Sequence, residues 1–405
     1  MTTAVLPQPQ LPTSAFFDLT KQHPRITAVT SVAFAALGII GLAFTLTLSV
    51  SIKLGLILAC STTLLIISVA LAPFAIQQVR ASKNPPQNVN GPPPNIAPND
   101  FAAQNAYLVQ VMSDTLTHLN SGVYTSPNRS RHALSLSRAA AESDLFFSPN
   151  NSGPRLGNDT CLLSVKNKDC LYVAAELHAK GLKPIVLDMA NDTYAGGGYL
   201  RGSRSQEEDC FRRSGLALAI DPQHRVQTRN FYPLNTPSRS ASLYVPHVPI
   251  FRAGYDKGYQ YLDHPFTVAF GVTAALSSPS LDNPLETGRA RLRDAEAEIT
   301  KQRVRTFFEM AHQKGHNSVV FGALGCGAFR NPPEHIAEIA MNVIRSEFPR
   351  CFKEIVFAII EDSNSGPNGN FAPFARETFA RGGKVFNAEG REIPNASHLP
   401  ARIYR

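Results

Sequence analysis

Between Tyr172 and Ile360 the chain alternates short apolar runs with longer segments of helical periodicity, and that rhythm leaves few folds open. Ile185-Val186-Leu187-Asp188-Met189, Ser242–Pro246, Thr267–Val272, Ser318–Ala323 and Glu354–Ile360 have strand length and strand composition. Tyr172–Ala179, Glu207–Ile220, Leu285–Lys314 and Pro333–Glu347 carry helical spacing. So does Phe101–Leu119, where Leu108, Val111, Met112, Leu116 and Leu119 make one stripe. Strands separated by such helices predict an α/β fold with a mixed sheet covered on both faces, Glu354–Ile360 closing it. Ligands in such folds sit beyond the carboxyl ends of strands. Both glycine-rich segments of this chain follow strands.

The first is Gly196-Gly197-Gly198, followed after seven residues by Gln206-Glu207-Glu208. Glycines accept positive φ and let backbone pass close to a diphosphate, while an adjacent acid reaches a glycosidic oxygen. The second is Gly325-Cys326-Gly327-Ala328-Phe329, whose amides precede the helix near Pro333 and invite the other side of a pyrophosphate. Neither is a P-loop, because no Lys-Ser/Thr follows the glycines. By residue type alone, two first-turn acids serve a helix dipole equally well, and a Gly-rich turn need only join a strand to a helix.

The stretch VLDMANDTYAGGGYLRGSRSQEEDCFRR resembles the signature of microbial-type poly(ADP-ribose) glycohydrolases, a macrodomain-derived family. LNSGVY at 119–124, VPHVPIFR at 245–252, FGALGCGAFRN at 321–331 and IIEDSNSGPNGNFAPF at 359–374 look like further blocks of that family, in order. The resemblance implies a macrodomain-like three-layer α/β/α core over 101–405. It implies hydrolysis of ribose–ribose bonds in poly(ADP-ribose), from chain ends, with ADP-ribose released. Glu208 would be the acid that protonates the departing oxygen and then takes a proton from water; Glu207 would hold ribose hydroxyls. Asn191 would bond the terminal ribose, or cap a turn; Phe371 and Phe329 would pack on the nucleotide, or in the core. Asp188 is either a strand-end acid or part of adenine recognition. Ala195 stands where the family commonly has proline. Partners would be poly(ADP-ribose) or ADP-ribosylated proteins, and no cofactor or metal is called for. A non-catalytic reader and a membrane scaffold are the competing functions.

Upstream, Ile26–Ile52 and Leu54–Ile76 carry no formal charge and are separated by Lys53. Each is long enough for a helix to cross a hydrocarbon core, predicting a two-helix transmembrane hairpin over 26–79 after a tail at 1–25. Lys21, Arg25, Arg80 and Lys83 on the outer flanks predict both termini on the cytoplasmic side. Two spans with a tight turn also resemble the bilobed hydrophobic domain of chlamydial inclusion membrane proteins. That resemblance implies a lipid-bilayer partner and, for a secreted protein, a host-derived vacuole membrane. Residues 80–100, rich in Pro and Asn, read as a semi-extended linker.

Composition excludes other classes. The formal charge of +8 comes from 39 Lys+Arg against 31 Asp+Glu, with no dense basic block, so direct DNA binding is not expected. The six cysteines include no CxxC, which argues against a zinc site or a disulfide framework. The basic residues Arg289, Arg291, Arg293, Lys301, Arg303 and Arg305 alternate with acids and predict a solvated charged helix face.

Overall fold

A computed structural model of the protein describes residues 95–400 except 98, 149–153, 225–228, 235–239, 286–289, 362–364 and 366–368. The chain divides into two compact units, 1–87 and 88–405, and all described residues lie in the second. Along it run α1 (Phe101–Ser121), β1 (Val123–Thr125), β2 (Arg131–Ala133), α2 (Ser137–Glu142), β3 (Asp144–Phe146), β4 (Leu162–Lys166) and α3 (Cys170–Ala179). Then come β5 (Pro184–Ala190), α4 (Gln206–Arg213), α5 (Leu216–Ile220), β6 (Ser242–Arg252), β7 (Tyr261–Ala274) and α6 (Asp294–Gln313). The remainder is β8 (Ser318–Phe321), α7 (Pro333–Glu347), β9 (Glu354–Ala358), α8 (Phe371–Phe379), β10 (Lys384–Phe386) and β11 (Glu392–Ile393).

Nine strands form one mixed sheet in the order β11-β10-β4-β9-β8-β5-β7-β6-β3. The six from β10 to β7 are parallel. β11 at one margin and β6 and β3 at the other are antiparallel. Alternation along the strands feeds two cores. Val186, Val320 and Val356 join α1 to α5 on one face, through residues such as Met112, Leu171, Phe211 and Leu216. Ile185, Val319 and Ile355 join α6, α7 and α8 on the other, through Phe307, Ile336 and Phe374. The core is therefore a macrodomain-like α/β/α sandwich, and the apolar runs of the central strands follow from burial on both sides.

Four local expectations change. Glu207–Ile220 is two helices, because Ser214 pairs with Ile250 and the Gly215 amide donates to the Pro249 carbonyl at 3.1 Å. The helix expected from Leu285 begins at Asp294, since Leu292 is first held in an antiparallel bridge with Leu281. Glu354–Ile360 does not close the sheet: α8, β10 and β11 follow, and β10 lies against β4. Nor is the charged helix wholly solvated. Arg303 is buried and donates to the Ala274 carbonyl at 2.9 Å, at the end of β7.

The membrane reading is also corrected. Among the described residues no helix is long and apolar enough to cross a membrane. The two longest, α1 and α6 with 21 and 20 residues, interleave polar positions because each turns only one face to a core. The hairpin expected over 26–79 lies outside the described residues. The inclusion-protein resemblance, the bilayer partner, the vacuole membrane and the multi-pass topology with cytoplasmic termini are therefore set aside.

One buried cation ties α4 to α3. Arg213, 1% exposed, pairs with Asp209 at 2.7 Å and with Asp169 at 2.8 Å, and Asp169 also caps α3 through the amides of Leu171 and Tyr172. Burial pushes the Asp169 carboxyl up, but Arg213 and the two amides outweigh it and hold it below its ordinary value. Removing one partner of such a group strands buried charge. Arg213→Ala is expected to lower unfolding free energy by about 3–5 kcal/mol in urea titration.

Candidate functional site

Strands β5, β8 and β9 are neighbours, and the glycine-rich segments and the 359–374 block leave their carboxyl ends. β8 pairs with β5 only as far as Val186, while β5 continues to Ala190. The side chain of Gln206 takes over where β8 stops. Its Oε1 accepts from the Met189 amide at 2.9 Å and its Nε2 donates to the Leu187 carbonyl at 2.8 Å. Both ends of this amide are thus committed to the strand. Gln206 fixes the first turn of α4 against β5, with Asp188 between its two anchors.

That anchoring presents Glu207 and Glu208 to the glycine turn. Glu207 accepts from the amides of Asn191 and Gly196, each at 2.8 Å, and Glu208 Oε1 accepts from the Gly198 amide at 3.0 Å. The Gly197 amide donates to the Tyr194 carbonyl. The triplet therefore spends its N–H groups on the acids and on its own turn, where a diphosphate was the expected partner. Glycine is required for a second reason. Gly196 and Gly197 have φ of 75° and 53°. A Cβ on Gly197 would lie 2.7 Å from Glu208 Oε1 and 3.1 Å from Glu207 Oε2.

The second loop has amides to spare. Cys326 donates its N–H to Ala323, and its thiol is buried, which pushes it well up. Gly325, with φ of 74°, packs its Cα where a Cβ would meet Ala275 and Asn331. The N–H groups of Gly327, Ala328 and Phe329 make no hydrogen bond among the described residues, and Ala328 is exposed. The loop leaves the sheet next to β5: a Cβ on Gly322 would lie 3.0 Å from the Met189 sulfur. Asn191 spends its Oδ1 on the amides of Thr193 and Tyr194, a turn-capping pattern, which leaves only its Nδ2 for a ligand. Phe371 is 7% exposed and belongs to a core; its amide and that of Asn370 are held by Glu361, at 2.6 and 2.9 Å.

Sequence reasoning assigned no role to Glu361, although it lies inside the 359–374 block, and passed over Tyr232, which sits in no motif and is brought in by chain folding alone. The Tyr232 hydroxyl is buried without a partner and lies within electrostatic reach of Glu207 and Asp188. Asp188 is fully buried and neither of its carboxyl oxygens has a partner among the described residues. Burial, then the neighbouring Glu208, push its carboxyl up to about 8. Burial, then Asp188, likewise raise Glu207 well above the carboxylate range, against the pull of its two N–H donors. Among the described residues no group of three or more acids, cysteines or histidines is arranged to hold a metal ion.

With this geometry in hand, comparison places the chain near one group of enzymes. Residues 112–253 match the family described as microbial-type PARG, catalytic domain. Among solved structures, poly(ADP-ribose) glycohydrolase from Thermomonospora curvata is 26% identical with a TM-score of 0.53, over 67% of this chain and 98% of that one. The same enzyme bound to the inhibitor ADP-HPD is 25% identical, also at 0.53, over 66% and 98%. No curated protein matches.

The raised carboxyl of Asp188 has a stability consequence. An unfolded Asp releases its proton near 3.9, so between about 4 and 8 the folded state alone keeps it, and stability falls as pH rises through that window. Asp188→Asn removes the loss. The variant is expected to gain on wild type by on the order of 1 kcal/mol per pH unit between pH 5 and 7, levelling above about 8, in urea titrations.

Proposed function

We propose that this chain is a glycohydrolase that cleaves O-glycosidic ribose–ribose bonds of poly(ADP-ribose), working from chain ends and releasing ADP-ribose. The observation that carries the reading is the pair Glu207–Glu208, buried at 3% and 7% exposure and clasped by backbone amides of the glycine turn. The likeness to the Thermomonospora curvata glycohydrolase supports the substrate class.

In this mechanism Glu208 gives its proton to the departing ribose oxygen as the anomeric C–O bond breaks. An oxocarbenium-like centre forms, water adds to it, and the water's proton passes to Glu208, restoring the acid. Glu207 is locked through both oxygens and retains lone pairs for ribose hydroxyls. Adjacent residues on a helix point about 100° apart, so Glu207 is no equal partner in attack. The free amides of Gly327, Ala328 and Phe329 take the diphosphate. Asn191 Nδ2 reaches the terminal ribose, and Phe371, buried at the start of α8, backs the adenosine end.

Full-chain protein incubated with labelled poly(ADP-ribose) is expected to release ADP-ribose. Glu208→Gln should slow release by about 10²–10⁴-fold while ADP-ribose binding by calorimetry changes only severalfold. A wild type that binds ADP-ribose but leaves polymer and mono-ADP-ribosylated protein intact would instead be a reader. Gly197→Ala, whose methyl pushes on both carboxyls, is expected to lower kcat by about 10–100-fold with a smaller change in KM.

A further inference from the structure

Asp188 has no place in that mechanism, yet it lies beside it. It sits on β5 between Leu187 and Met189, the two residues whose backbone Gln206 grips. Its carboxyl is wholly buried, and among the described residues neither oxygen meets a donor. Glu208 Oε2 and the Tyr232 hydroxyl are likewise buried and unpartnered, so four unsatisfied polar atoms belong to this one cluster. The groups that act on Asp188 or feel it are Glu207, Glu208 and Cys210 from α4, and Tyr232 from the 229–234 segment. None of them can carry a positive charge. A carboxylate buried without cation or donor costs several kcal/mol, so Asp188 rests there as the neutral acid.

We propose that Asp188 is a further positioning residue of the ligand site: its neutral form is the form that admits the ligand diphosphate, and its ionisation closes the site to anions. The physical step is one of like charge. Ionised Asp188 adds a negative charge behind Glu207 and Glu208, in surroundings of low dielectric, and repels a diphosphate held on the amides of Gly327, Ala328 and Phe329. Ligand and proton therefore favour each other, and by linkage the ligand draws a proton onto the protein. The raised carboxyl of Asp188 sets the window near pH 8. This inference rests on the ADP-ribose reading of the site.

The test is calorimetric titration of the full chain with ADP-ribose from pH 7 to pH 9.5, in buffers of different ionisation enthalpy. Wild-type Kd is expected to rise on the order of tenfold between pH 7 and 9, with uptake of about half a proton per ligand at pH 8. In Asp188→Asn, whatever its affinity at pH 7, Kd should stay within twofold across the range and proton uptake should vanish. Binding by wild type with no proton uptake overturns the proposal without need of the variant. An Asp188→Asn protein that keeps the alkaline loss also overturns it and assigns the proton to Glu207. Absence of ADP-ribose binding at every pH overturns the ADP-ribose reading, and this inference with it.

Discussion

The site depends on a short clasp between the first turn of α4 and the turn after β5. Glu207 and Glu208 accept the amides of Asn191, Gly196 and Gly198, and Gln206 pins the same helical turn to the strand behind them. Each part holds the other. The glycines can approach so closely only because they lack side chains, and the carboxyls are oriented only because amides meet them. Helix, strand and turn thus become one rigid unit. Rigidity of that kind is what an acid needs if it is to meet a bond at a defined distance.

Helix α4 treats charge in opposite ways at its two ends. At its carboxyl end Arg213 is buried against two carboxylates, while the neighbouring Arg212, also buried, keeps its Nε and Nη1 without a partner among the described residues. At its amino end three carboxyls crowd together without a cation, and four of the site's polar atoms have no partner, among the described residues. The first arrangement holds the fold together. The second works against stability, and folded proteins tolerate such crowding chiefly where a ligand or a proton completes it.

Some of this was legible along the chain. The strand–helix rhythm placed the central strands β5, β8 and β9 and the helix Pro333–Glu347, because burial on both faces leaves continuous apolar runs. Short margins were not legible: β3, β10 and β11 have too few residues for periodicity to register. The break between α4 and α5 was hidden as well, since β6, some thirty residues downstream, makes it.

By itself the sequence brought the glycine turn and the two acids to one site, because acids in the first turn of a helix that starts seven residues after the glycines can fold back onto them, whereas Glu361 and Tyr232 joined only in the folded chain. It also determined the class of sheet, through the periodicity of its apolar residues. What those groups do to one another was decided only by tertiary structure. Whether the Gly196 and Gly198 amides face a ligand or a carboxyl depends on where α4 docks. Whether Gln206 contacts a ligand or a strand depends on where β8 ends. Asp188 looked like any strand acid until the sheet and helix closed over it and removed both water and partners, since solvation and electrostatic neighbours are properties of the packed chain and are not written in any local stretch of it.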